Sequence, residues 1–160
     1  MLGLTLLLSC QAQKSKSQVL EANEHQRDVQ IVAEDTYKQS NIAEFQVKNI
    51  TEGEELYVYT PKDLVIEKSI NGNWEKLRVL YCPCGASCPP PPEWKKLVPN
   101  QSLTISWDLH EEWCEASDPT VRVPETHSRY AGKGLYRIVI LFARKRGGEI
   151  QSKYKTFHLK

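Results

Sequence analysis

Gly134-Leu135-Tyr136-Arg137-Ile138-Val139-Ile140-Leu141-Phe142-Ala143 is the stretch on which the fold reading turns. Hydrophobes stand at consecutive positions through its middle, so both faces of an extended strand are apolar there, the pattern of a strand in the centre of a sheet. Arg144-Lys145-Arg146-Gly147-Gly148-Glu149 follows as a polar turn, and Ile150 to Leu159 reads as the return strand. Working outward, the same extended chemistry recurs. Ala43, Phe45 and Val47 alternate with Glu44, Gln46 and Lys48, and Leu103, Ile105 and Trp107 alternate with Thr104 and Ser106. A period of two marks a strand with one face on a core. Leu56-Tyr57-Val58-Tyr59 is a short β-rich run closed by Pro61. Leu64, Ile66 and Ile70 share a face ahead of Asn71-Gly72-Asn73, residues that tolerate the positive φ of a tight hairpin turn. The return strand is expected from Trp74 to about Cys82, with Leu77, Val79 and Tyr81 on one face.

No apolar pattern of period 3.6 is long enough for a major helix. The 9 prolines, 4 tryptophans and 7 tyrosines also suit strands and rigid turns. The expectation is an all-β antiparallel sandwich of about seven or eight short strands over residues 29–160, and it resembles an immunoglobulin-like domain. Gly134-Leu135-Tyr136 is similar to the Gly-x-Tyr that opens the penultimate strand of many such domains. That resemblance implies a hydroxyl of Tyr136 tying a loop back to the sheet. Tyr81 to Asn100 and Asp108 to Lys133 are left as long connections, where function tends to sit.

Residues 1–9, Met-Leu-Gly-Leu-Thr-Leu-Leu-Leu-Ser, are too few to span a bilayer, which takes about 20 apolar residues. They read as the remnant of a secretory signal, although no Lys or Arg precedes the apolar run. Leu7-Leu8-Ser9-Cys10 resembles the lipobox of bacterial lipoproteins. The resemblance implies a lipid on Cys10, anchorage to a membrane and residence in the bacterial cell envelope. Residues 10–28 are polar and poor in aliphatics, and read as a tether.

Setting Cys10 aside leaves Cys82, Cys84, Cys88 and Cys114, an even number in an exported chain. Two structural disulfides are expected. Cys82–Cys84 is the least comfortable link because the two are so close in sequence. Cys84–Cys88 with Cys82–Cys114, and Cys82–Cys88 with Cys84–Cys114, both stay open. The alternative is a metal held by the four thiolates, with His110, Glu111 and Glu112 close to Cys114 as further ligands, although Cys-x-Cys-x₃-Cys lacks ordinary zinc-knuckle spacing. Pro90, Pro91, Trp94 and Trp113 are the candidate partner-binding residues of this region. The proline run favours a stiff extended rod, and Trp113 is expected to cover the disulfides.

Lys plus Arg is 21 and Asp plus Glu is 20, so no basic field points to nucleic acid. His110-Glu111-Glu112-Trp113-Cys114 lacks the second histidine of a zinc-protease motif, and neither a nucleophile elbow nor a phosphate-cradling glycine loop is present. A non-enzymatic binding or structural module without a cofactor is therefore expected. A looser similarity of Trp107-Asp108 and the Gly-x-Tyr strand to bacterial sandwich-type inhibitors implies a proteinase inhibitor as the rival. Asn49-Ile50-Thr51 and Asn100-Gln101-Ser102 match glycosylation sequons, which a bacterial source would make chance matches.

Overall fold

The computed structural model describes residues 28–60, 64–88, 93–115 and 124–160. Among them there is no helix. In chain order the strands are β1 (Val29–Val32), β2 (Thr36–Tyr37), β3 (Ala43–Asn49), β4 (Leu56–Thr60), β5 (Ile66–Ile70), β6 (Asn73–Lys76), β7 (Glu93–Leu97), β8 (Ser102–Trp107), β9 (His110–Glu115), β10 (Glu125–Tyr130), β11 (Gly134–Ala143) and β12 (Gln151–Leu159).

β11 is central, as its apolar middle requires. One edge pairs with β12 from Gly134↔Leu159 to Phe142↔Gln151. The other edge is divided: β5 lies opposite Tyr136 to Ile138, and β4 opposite Leu141 to Ala143. β6 extends this sheet beyond β5, β7 extends it beyond β4, and β2 joins β12. A second sheet of order β1-β3-β8 packs against it, and β9 with β10 forms a separate ribbon. The layers make an all-β sandwich. All pairings are antiparallel except the short β2–β12 contact.

Among the described residues twelve strands replace the seven or eight expected, because both long connections carry strands and two short ones, β1 and β2, precede β3. β7 lies in the first, and the second carries β9 and β10, whose polar residues hid their alternation. The strand expected to run to Cys82 ends at Lys76. Leu77 leaves the hairpin and is buried, its N–H donating to Ile66 O at 2.8 Å, whereas Tyr81 is exposed.

The core follows the period-two reading. Ala43, Phe45 and Val47 of β3 face Tyr136, Ile138, Ile140 and Phe142 of β11 across the sandwich, with Phe157 and Trp107 among them. Phe157 is the aromatic hub: its ring lies 5.2 Å from Phe45, 5.6 Å from Tyr37, 5.9 Å from Tyr136 and 6.3 Å from Trp107. The outer face of β11 is covered differently. Arg137 pairs with Glu67 directly across the β11–β5 pairing, and its guanidinium lies over Trp74 at 4.4 Å and Tyr154 at 5.1 Å.

Polar side chains fix the ends of the sheets. Asn49 is wholly buried. Its Nδ2 donates to Glu54 O and Leu97 O at 2.8 and 2.9 Å, and its Oδ1 accepts from the Thr51 N–H. Asn49 of the first sequon is thus a structural clamp, its amide nitrogen engaged by two carbonyls. Asp28, read as the last tether residue, is buried and binds Arg144 at 2.9 Å, drawing the base of the expected polar turn onto the domain.

Tyr136 fulfils the role implied by Gly-x-Tyr. Its hydroxyl, shared between two acceptors, lies 2.6 Å from Ala131 O and 2.7 Å from Gly132 O, so it holds the chain entering β11. Burial, with smaller contributions from Tyr130 and Glu111, raises the pKa of this phenol well above its ordinary 10.0. Tyr136→Phe is therefore expected to cost about 1–2 kcal/mol at neutral pH, read as a lower urea midpoint with unchanged m. Above the ordinary phenol pKa the unfolded chain releases this proton and the folded chain keeps it, so the wild type loses stability as pH rises. The variant lacks the group, and the gap between the two proteins narrows in alkali. A gap constant across that range contradicts the assignment.

Candidate functional site

The chain leaves β8 at Trp107-Asp108-Leu109-His110 and turns out of the sandwich. Leu109 has φ 67 and a fully buried side chain, a costly conformation for a branched residue. Several bonds enforce it. Asp108 Oδ1 accepts the His110 N–H at 3.1 Å, Trp107 Nε1 donates to His110 O at 2.9 Å, and the Ala131 N–H donates to Leu109 O at 2.9 Å. The turn plugs the core with Leu109 and launches β9 away from it.

β9 and β10 then pair in register from Tyr130↔His110 to Glu125↔Glu115. Alternation gives the ribbon two faces. One carries Glu111 opposite Arg129, Trp113 opposite His127 and Glu115 opposite Glu125; the other carries His110 opposite Tyr130, Glu112 opposite Ser128 and Cys114 opposite Thr126.

On the first face Glu111 is buried and accepts from Arg129 at 2.8 and 3.1 Å, with Arg78 at 4.0 Å. Both arginines approach the Trp113 indole, Arg78 at 4.3 Å and Arg129 at 5.5 Å, and the His127 ring stacks on it at 5.7 Å. Trp113 Nε1 donates to Glu115 at 3.2 Å. The carboxylate thus positions two cations against an aromatic ring, an arrangement worth about 0.5–2 kcal/mol per cation–π contact. His127 Nε2 and Tyr130 Oη, both on β10, are buried without a hydrogen-bond partner among the described residues.

On the second face the ribbon is fastened to the cysteine loop. Cys84 is bonded to Cys114, with Cα atoms 5.6 Å apart, and Cys82 to Cys88 at 6.2 Å. This is one of the two connectivities that the sequence left open. The Cys84 N–H donates to the Thr126 side chain at Oγ1 at 2.7 Å, and the Glu112 N–H to Arg78 O at 2.7 Å, so one side-chain bond and one main-chain bond hold the loop beside the sulfurs. Ala86 N–H to Pro83 O at 3.1 Å makes the turn inside the Cys82–Cys88 ring.

The candidate residues divide accordingly. Cys82, Cys84, Cys88 and Cys114 come together, and their S–S bonds consume the thiolates that the metal alternative required. His110 turns its Nδ1 to Asp108 O at 2.8 Å. Trp113 does not cover the disulfides: strand alternation places it on the opposite face from Cys114, among the arginines. Trp94 belongs to β7, where it packs on its cross-strand partner Tyr59 at 5.1 Å. Pro90, Pro91 and Cys10 lie outside the described residues.

Arg78 and Arg129 escaped the sequence reading, which met Glu111 only beside the metal alternative and the zinc-protease motif and gave His127 no role. The one signal available was the alternation of Glu111, Trp113 and Glu115 against Glu125, His127 and Arg129, which marks two strands only once their pairing is known. The fold and site together define a disulfide-stapled all-β domain, and its two disulfides are compatible with an oxidising, extracytoplasmic compartment. The chain matches no protein-family model and no curated protein.

Partial reduction and peptide mapping should recover the Cys82–Cys88 and Cys84–Cys114 linkages; a different pairing contradicts the site. By loop length, removing the second bond (Cys84→Ser with Cys114→Ser) should cost about 3–4 kcal/mol. Removing the first (Cys82→Ser with Cys88→Ser) should cost about 2–3 kcal/mol, measured by urea unfolding.

Proposed function

We propose that this chain is a non-catalytic binding module of a bacterial cell envelope, anchored by a lipid on Cys10 and presenting its loop–ribbon unit to a protein partner. The observation that carries this reading is the Cys84–Cys114 bond, which fixes an excursion from the sandwich that has little apolar core of its own. A cross-linked surface loses little conformational freedom when a partner binds, so more of the contact energy appears as affinity. Its first face offers Trp113 with Arg78 and Arg129 close to its ring, residue types that dominate binding hot spots. Glu111 holds those arginines in place before any partner arrives. Disulfides suit export, and the lipobox-like Leu7-Leu8-Ser9-Cys10 supplies the means of retention at a membrane.

Site-specific photocrosslinking in the native envelope tests this. A photoreactive residue at Glu115, on the Trp113 face, should give a discrete protein adduct, and one at Tyr154 on the outer sheet should give none. Trp113→Ala or Arg78→Ala should weaken the Glu115 adduct about fivefold or more, and Cys10→Ala should release the chain from the membrane fraction. Equal adducts at both positions, or an unacylated chain free of the membrane, overturn the proposal. Inhibition of any member of a protease panel replaces it with the inhibitor reading.

A further inference from the structure

β8 is an edge strand, and its exposed edge is unusually bare. At the end of β3, Asn49 N–H donates to Gln101 O on the β8 side, whereas Ile50 N–H points the other way and donates to Asp28 O on the β1 side. These bonds set the phase of β3: residues 43, 45 and 47 face 107, 105 and 103 of β8 as hydrogen-bonded pairs. The N–H and C=O groups of Ser102, Thr104 and Ser106 consequently point away from β3, and no strand pairs with them among the described residues. Sheet edges are ordinarily protected by charge, proline or a cover. β7 carries Lys95 and Lys96, β6 carries Glu75 and Lys76, β12 carries Lys153 and Lys155, and on β1 the Val29 carbonyl accepts from Lys153. Ser-Leu-Thr-Ile-Ser-Trp of β8 has neither charge nor proline.

Along this edge runs a groove of about 510 Å³. Leu103, Ile105 and Trp107 line it from β8, and Leu64, Val79 and Leu80 line it from the segments just before β5 and just after β6. Ile42 and Tyr81 stand at its rim, 62% and 55% exposed. Asp108 and Glu112 sit at the end where β8 finishes, Glu112 reaching it from the disulfide-bearing face of the ribbon. Glu112 has no cation within 4 Å among the described residues, and Asp108 has His110 alone, at 3.7 Å.

From this edge and its groove we infer that β8 is a strand-acceptor site: an extended segment of a partner protein adds to it antiparallel. Main-chain bonds form to Ser102, Thr104 and Ser106. Alternate side chains of the incoming strand enter between the two sheets over Leu103 and Ile105, while the others face solvent. An antiparallel strand begins where β8 ends, so its first residue meets Asp108 and Glu112 and is basic. The ligand is therefore a peptide with Lys or Arg at its start and apolar residues at alternate positions after it. The inference rests on the reading of a binding module but uses a different surface from the Trp113 face, so loss of one leaves the crosslink or the peptide affinity of the other intact.

The test is fluorescence anisotropy of the labelled peptide Lys-Val-Thr-Leu-Thr-Val-Thr with the full chain. Thr104→Pro removes an outward N–H without touching the β3 pairing, and should weaken binding about tenfold. Glu112→Lys leaves the backbone edge intact; it should weaken the Lys-first peptide by a similar factor and improve its Glu-first counterpart. A peptide of the same composition with its apolar residues contiguous should bind about tenfold more weakly than the alternating one. Equal affinity for all peptides, or indifference to both variants, overturns the inference. A concentration-dependent dimer abolished by Thr104→Pro also overturns it, by assigning the edge to a second copy of this chain.

Discussion

Pairing of β11 on both edges is the constraint on which the rest depends. Because β12 occupies one edge along its length while β5 and β4 divide the other, the inner face is presented as one continuous row, Tyr136, Ile138, Ile140 and Phe142. The second sheet packs on that row, and Phe157 gathers rings from Tyr37, Phe45, Trp107 and Tyr136 into one cluster. Tyr136 serves both layers of this order, since its ring lies in the cluster and its hydroxyl holds the loop that delivers β10 into β11. Packing and main-chain direction are thereby set by the same residue.

The sandwich closes differently at its two sides. Where β1 approaches β12, Lys153 reaches the Val29 carbonyl and Arg144 reaches Asp28, so charged side chains bridge the two sheets. Where β8 faces Val79 and Leu80, no such bridge exists among the described residues, and the seam stays open as an apolar groove. The asymmetry has a simple cause. Leaving β6 at Lys76, the chain turns toward the cysteine loop, so the segment at Val79 walls the seam without pairing with β8.

The ribbon is held by chemistry outside the hydrophobic core. A covalent link at Cys114, a buried carboxylate at Glu111 and cation–π contacts at Trp113 substitute for the apolar burial that the segment lacks. Each contributes locally, and the strained turn at Leu109 transmits this order to the end of β8. The Trp113 face and the groove end at Glu112 are back to back on one disulfide-linked ribbon.

Much of the fold was legible in the amino-acid sequence because strands with one buried face write their burial as alternation. The strands around Phe45, Ile105 and Phe142 and the turn at Asn71-Gly72 were all readable, and so was the Gly-x-Tyr role of Tyr136. The cysteines announced their pairing but not their partners, since either arrangement satisfies proximity in the chain. The ribbon was not legible: it is polar on both faces, so no hydrophobic period marks it, and it was read as connection. Composition and local spacing thus determined an all-β, disulfide-bonded domain. Only tertiary structure decided that Arg78, Glu111, Trp113 and Arg129 meet, that Cys84 finds Cys114, and that the edge of β8 is left bare. These are contacts between residues far apart in the chain, fixed by strand register and sheet order, which no local pattern encodes.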